Sequence, residues 1–153
     1  MHILNLGFTG SQKGVTPNQL TVLRKFILEL SQSFVIDGFH GDCIGADTIF
    51  HAVCRKEGAR EVYKFPCTIT NKCANTDAVP LADPRAPLDR NREIVHASDV
   101  MVACPGTSEE IIRSGTWATI RYARKQNKQL YVIYPDGSFV EDNPGVLEEV
   151  IDA

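Results

Sequence analysis

The chain is predicted to be an α/β protein, a three-layer sandwich with a mostly parallel central sheet and helices on both faces. Three observations predict it. Short apolar runs of strand character alternate with stretches of helical period throughout the sequence, as in sheets built from β-α-β units. The glycine-bearing loops each follow a strand, so they fall on one edge of the sheet, where such sheets bind ligands. The 153 residues, 43% hydrophobic and 23% charged, suit one soluble domain with a sizeable core.

Taken in order, residues 2–7 read as an apolar strand, and residues 7–14 follow as a loop rich in glycine and hydroxyls. Thr16 and Pro17 open a helix, one as cap and the other at the first helical position. Leu20, Leu23, Phe26, Ile27 and Leu30 then recur at helical spacing and form one buried stripe. Residues 34–37 are a second strand and 38–47 the next loop. A helix over about 46–57 is stopped by Gly58, and residues 61–65 are a third strand.

Residues 66–87 hold four of the eight prolines and no sustained period. A connection of roughly 20 residues is unusual in a compact domain. It reads either as a lid or rim over a site or as a surface insertion. A helix over 87–97, an apolar strand over 99–103, a loop over 104–114, a helix over 115–127 and a strand over 129–134 follow. Pro135 to Gly137 make a turn, and Asn143-Pro144 start a last helix to Ile151. With no internal repeat and no boundary, residues 1–153 are expected to be one domain.

The net charge of -3 argues against a general nucleic-acid surface. Local basic stretches at 85–92 and 113–128 suffice for one phosphate. No apolar run approaches the roughly 20 residues of a membrane span, and the N-terminus lacks the pattern of a secretion signal. The five cysteines, Cys43, Cys54, Cys67, Cys73 and Cys104, are odd in number and scattered. They read as reduced thiols, which points to the cytoplasm. Neither His51 with Cys54 nor Cys67 with Cys73 matches a zinc pattern, so no metal and no separate cofactor is expected.

Four stretches suit one anionic ligand. In residues 7–14, with Gly10 and Ser11, glycines free backbone N–H groups for an anion nest, although neither the Walker nor the dinucleotide spacing is met. In residues 40–47, Gly45 permits close approach, and Asp47 either stabilises the helix dipole or accepts from a ribose hydroxyl. Asp89, Arg90, Asn91, Arg92 and Glu93 are either a salt-bridged helix surface or a phosphate clamp beside a catalytic carboxylate. Arg113, Ser114, Gly115 and Thr116 run into the first turns of a helix. Gly115 lets the backbone approach a ligand, Thr116 caps the helix or turns its hydroxyl to an anion, and Arg113 adds a fork of donors.

Together these stretches resemble the SLOG superfamily, which includes LOG-type phosphoribohydrolases, the DNA-processing protein A family, molybdenum-cofactor carriers and YpsA-like proteins. Gly7-Phe8-Thr9-Gly10-Ser11 looks like its first loop, Gly45-Ala46-Asp47 like its glycine-alanine-aspartate element, and Arg90-Asn91-Arg92-Glu93 like a signature of small YpsA-related members. Pro105-Gly106 with Ser114-Gly115-Thr116 looks like a split form of the family's phosphate loop. The resemblance implies a Rossmann-like fold and a nucleotide or nucleotide-derived ligand. Gly10, Ser11, Gly45, Asp47, Arg90, Arg113, Ser114, Gly115 and Thr116 would then surround it. One departure matters: the glutamate pair of the LOG enzymes has no counterpart after Gly115-Thr116. The enzymes' arginine carries over to Arg92, or less directly to Arg90, and Glu93, Glu109 or Glu110 would replace the acid. Arg92 and Glu93 are therefore the catalytic candidates.

Three functions follow: a nucleotide-binding carrier, sensor or module; a nucleoside 5′-monophosphate phosphoribohydrolase; and a single-stranded-DNA-handling domain, against which the acidic charge and few aromatic residues speak. Relatives often pair through helices on one sheet face, so a homo-oligomer is also among the expectations.

Overall fold

The computed structural model describes residues 1–142. The helix expected after Asn143 lies outside them. The elements are β1 (Ile3–Gly10), α1 (Pro17–Ser33), β2 (Val35–His40), α2 (Ala46–Lys56), β3 (Glu61–Lys64), β4 (Val79–Pro80), α3 (Pro87–Ala97), β5 (Val100–Cys104), α4 (Gly115–Lys125), β6 (Gln129–Ile133) and β7 (Phe139–Glu141). The strands form one sheet in the order β4-β3-β2-β1-β5-β6-β7. Every neighbouring pair is parallel except β6 with β7. The mostly parallel sandwich expected from the alternation is what forms. Two strands are not announced by the sequence pattern: β4, inside the segment without period, and β7. The three residues of β7 are exposed, so no buried face marks it, and it pairs as a hairpin through the turn at Pro135 to Gly137.

The two faces of the sheet carry separate cores. Leu4, Leu6 and Phe8 of β1 pack with Leu23 and Ile27 of α1 and Phe50 and Val53 of α2. Phe8 and Phe50 stack with ring centroids 4.6 Å apart. On the other face Met101 and Ala103 of β5 pack with Ile94 and Val95 of α3 and Trp117, Ile120 and Ala123 of α4. Alternation of side chains along a strand makes this division.

Two strands run further than their apolar patterns suggest. β1 continues through Gly10, held by register with β5 (Phe8 with Val102, Gly10 with Cys104). Gly7 is thus inside a strand and not in an anion nest. A Cβ there would collide with the Ser98 hydroxyl and the Met101 sulfur, so glycine is what lets α3 end against β1. β2 likewise runs to His40, which is buried.

α1 starts as expected. Thr16 Oγ1 accepts from Gln19 N at 3.0 Å, and Gln19 Oε1 accepts from Thr16 N at 2.9 Å, a reciprocal capping box with proline at the first helical position. Gln19 is buried and does more than cap. Its Nε2 donates to Pro105 O at 2.8 Å and Ile133 O at 2.9 Å, tying the helix start to the ends of β5 and β6.

The segment after β3 is built into the edge of the sheet. It carries a 3-10 turn (Thr70–Lys72) and β4. Thr76 donates to Asp42 Oδ1 through N at 2.9 Å and Oγ1 at 2.6 Å, while Lys64 Nζ reaches Asp42 Oδ2 at 3.2 Å. Burial pushes the Asp42 carboxyl upward, but these bonds outweigh it and hold its pKa below the ordinary value. A second tie runs through two histidines. Asp42 N–H donates to His40 Nδ1 at 2.9 Å, which leaves the His40 proton on Nε2, facing His51 Nδ1 at 3.1 Å. His51 Nε2 then reaches Asp77 at 2.6 Å. Burial, with His51 beside it, pushes the His40 pKa down to about 3, so the ring stays neutral.

Gln19→Leu is expected to destabilise the fold by roughly 2–4 kcal/mol, because two buried carbonyls lose their donor. Urea unfolding monitored by circular dichroism measures it, and a change below about 1 kcal/mol would contradict the tie.

Candidate functional site

A cleft of about 410 Å³ lies at the carboxyl ends of β1, β2 and β5. The chain leaves β1 toward β2 on one side, while β5 lies on the other, so this is the switch point where doubly wound sheets receive ligands. Its wall is made by residues 8–13 at and after the end of β1, Gly41, Cys43 and Asp47 after β2, Pro87, Arg90, Asn91 and Ile94 on α3, Gly106, Thr107 and Ile111 after β5, and Ser114 to Thr116 at the start of α4. Of residues 66–87 only Pro87, the first residue of α3, is in that wall. The segment also supplies the edge strand β4.

The two helix starts facing the cleft differ. At α2 the first amide and two amides of the preceding loop are already paired inside the protein. Asp47 Oδ2 accepts from Gly41 N at 3.2 Å and Cys43 N at 3.0 Å, and Ser11 O accepts from Ala46 N at 2.9 Å. At α4 the cap is Ser114, whose Oγ accepts from Trp117 N at 3.2 Å. Thr116 does not cap. It stands inside the first turn, and its hydroxyl meets no protein partner among the described residues. The N–H groups of Gly115 and Thr116 likewise find no acceptor among the described residues. Orphan amides at a helix start attract anions. The loop before α4 is steadied by Trp117 Nε1 donating to Thr107 Oγ1 at 3.0 Å, which in turn donates to Glu109 O at 2.8 Å.

Gly10 and Gly45 act chiefly by making room. A Cβ on Gly10 would overlap Ala46, and one on Gly45 would strike the main chain of Gln12. Gly45 also holds φ at 91°, a region that side chains disfavour. It brings the first two loops together but is not itself part of the cleft wall.

Arg90 is 4% exposed and reaches the wall from below. Its Nη1 donates to Gly41 O and to Phe65 O, the latter at 3.2 Å, its Nη2 faces Cys43 Sγ at 3.2 Å, and its Nε donates to Asn91 Oδ1 at 2.8 Å. Asp47, 6% exposed, is the one carboxylate in the wall among the described residues. Burial lifts its pKa to about 6, against the opposing pull of the Cys43 and Gly41 amides and the Arg90 charge.

The other sequence candidates lie elsewhere. Ile94 follows Arg90 by four residues and shares its helix face, whereas Arg92 points outward. Arg92 sits over the Tyr122 ring at 5.1 Å, in a separate groove of about 350 Å³ between α3 and α4. Glu93 pairs with Arg85 at 2.9 Å, and Glu110 pairs with Arg124. Arg113 is exposed, one residue before the cap, and does not enter the wall. Lys13 is in the wall although nothing in its spacing singled it out. It sits in the glycine loop, and a cation beside an anion nest was the available signal. Among the described residues no cluster of three or more His, Cys, Asp or Glu side chains is arranged to hold a metal ion, and no helix is long and apolar enough to cross a membrane.

Solved structures decide the class of fold. The chain superposes on the molybdenum cofactor binding protein of Rippkaea orientalis with a TM-score of 0.68 over 99% of this chain and 97% of that one, at 16% identity. The fold is Rossmann-like. The molybdenum cofactor carrier protein of Chlamydomonas reinhardtii gives 0.62 over 97% and 84%, also at 16% identity. DNA processing protein A of Helicobacter pylori, described for its single-stranded DNA binding mode, gives 0.58 over 97% and 72% at 18% identity. No protein-family model matches the chain, and no curated protein matches it by sequence. Identities this low establish the fold alone. The expectation that nucleic acid is an unsuitable partner gains no support from these neighbours, since one of them binds single-stranded DNA.

Because the folded-state pKa of Asp47 lies above its unfolded value, ionising it opposes folding as pH rises from about 4 to about 6. Asp47→Asn keeps an acceptor for the amides and removes that opposition. Relative to the wild type, the variant is expected to gain about 2–3 kcal/mol between pH 4 and pH 7. Urea titrations of both proteins at the two pH values measure the difference, and an unchanged difference would show that Asp47 titrates normally.

Proposed function

We propose that the cleft binds the phosphate end of a nucleotide or nucleotide-derived molecule, and that the protein is a carrier, sensor or binding module. The carrying observation is the start of α4. The unpaired amides of Gly115 and Thr116 face the same cleft as Lys13 and the buried guanidinium of Arg90. Two cations against one carboxylate leave the wall net positive in a chain of net charge -3. In this reading Gly115, Thr116 and Lys13 hold the phosphate. Ser11 and Gly10 shape the first loop around it, and the Asp47 oxygen not used by the amides accepts from a sugar hydroxyl. The two molybdenum-cofactor proteins of the same fold make a small-molecule ligand a natural expectation.

A second reading, phosphoribohydrolase action on a nucleoside 5′-monophosphate, is favoured by one observation. Asp47 lies in the wall and its pKa is lifted to about 6, within the range of a working acid or base. Cleavage of a base–ribose bond needs a carboxylate to activate water and to stabilise an oxocarbenium-like centre. Glu93, paired with Arg85 outside the cleft, is replaced by Asp47 in that role.

Calorimetry with AMP, ADP-ribose and molybdopterin tests the first reading. At least one should bind, and Thr116→Val and Lys13→Ala should each weaken it about tenfold. Arg92→Ala should leave affinity within about twofold. No binding at millimolar ligand would remove the reading. Chromatography of AMP incubated with the protein tests the second: free adenine should appear, Asp47→Asn should abolish it, and Glu93→Gln should not.

A further inference from the structure

Cys43, between β2 and α2, and Cys73, in the segment between β3 and β4, form an isolated antiparallel bridge. The flanking bonds run from Ile44 N to Lys72 O at 2.9 Å and from Ala74 N to Asp42 O at 2.7 Å. The cysteines are therefore the non-hydrogen-bonded pair of this short ladder. Residues so paired have Cα atoms about 4.5 Å apart and side chains on the same face. That spacing lies inside the range of roughly 4.4–6.8 Å that disulfides span. Both residues are free thiols, and each sulfur has another partner. Cys43 Sγ lies 3.2 Å from Arg90 Nη2, and Cys73 Sγ donates to Ile69 O at 3.4 Å and Cys67 O at 3.7 Å. Rotation about χ1 is the movement that would bring the two sulfurs together. The remaining thiols, Cys54, Cys67 and Cys104, are buried.

We propose that Cys43 and Cys73 are a site of reversible oxidation that closes to a cross-strand disulfide by exchange with a low-molecular-weight disulfide. With oxidised glutathione, the Cys73 thiolate attacks one sulfur, the glutathione S–S bond breaks, and one glutathione thiolate leaves. The Cys43 thiolate then attacks the Cys73 sulfur and expels the second glutathione. Two protons pass from the protein thiols to the two glutathiones. The protein pair loses two electrons and the glutathione disulfide gains them. Burial holds both thiols above their ordinary pKa, so the exchange runs slowly at neutral pH and faster as pH rises toward 9. Cys43 is in the cleft wall, so closure takes its sulfur from Arg90 at the place where a ligand would sit. It also cross-links the β2–α2 turn to the segment that borders the sheet.

The test is peptide mapping of the whole protein after incubation with oxidised glutathione, digested with trypsin without reduction. The expected product joins the peptide 26–55, through Cys43 and not Cys54 on fragmentation, to the peptide 73–85. Its mass is two hydrogens below the sum of the two, and dithiothreitol separates it. Free thiols fall from five to three. The thermal midpoint should rise by roughly 5–10 °C, as expected for closing a loop of this length. Cys67→Ser should retain the cross-link, and Cys73→Ser should lose it. A link between Cys67 and Cys73, stable glutathione addition without closure, or five thiols left free would overturn the proposal. The wild-type map decides even where a variant fails to fold.

Discussion

The buried guanidinium of Arg90 is the contact on which the rest of the site depends. It comes from α3, yet its partners are Gly41 O at the end of β2, Phe65 O just past β3 and Cys43 Sγ on the following turn. A buried charge costs much unless its donors are met, and here carbonyls, a sulfur and the Asn91 amide meet them. The same contact explains Gly41, because a Cβ there would lie inside the guanidinium. It also sets the surroundings of Asp47. The arginine attracts the carboxylate, but the two do not approach within ion-pair distance, and desolvation decides the direction of the shift.

Around that clamp the two helix starts divide the work. At α2 the first amide, Ala46 N, is met by Ser11 O, and Asp47 meets the amides of Gly41 and Cys43 in the loop before the helix. The first turn of α4 is capped by Ser114 on one amide only, which leaves Gly115 and Thr116 available. Both are glycine-bearing loops running into helices, and in the sequence they look alike. The difference is that a carboxylate, Asp47, folds back onto the loop that leads into α2. A ligand phosphate would then sit toward α4, with Asp47 and Cys43 on the far side of the cleft.

The segment after β3 shows how a polar anchor can replace a hydrophobic one. β4 is two exposed residues, too little apolar surface to hold the chain. Asp42 holds it instead, binding Thr76 and Lys64, with the His40–His51–Asp77 chain as a second tie. Two of these anchors, Asp42 and His40, flank the cleft wall at Gly41 and Cys43, so the edge of the sheet and the cleft share their supports.

The sequence by itself determined the layers. Alternating strand and helix runs, Thr16-Pro17 at one helix start and Gly58 at another end are local preferences, and local physics is enough to read them. It also located the loops that meet at the cleft, because parallel strands send every following loop to the same edge. Only the tertiary structure decided which residues of those loops face inward. Arg90 and not Arg92 reaches the cleft because α3 turns its Ile94 face to the sheet, and that phase is set by packing. Gly7 became strand because β5 pairs along it, and Glu93 was drawn to Arg85, a partner in a loop without period. The bridge between Cys43 and Cys73 joins residues far apart in the chain, and no rule of spacing along the chain contains it.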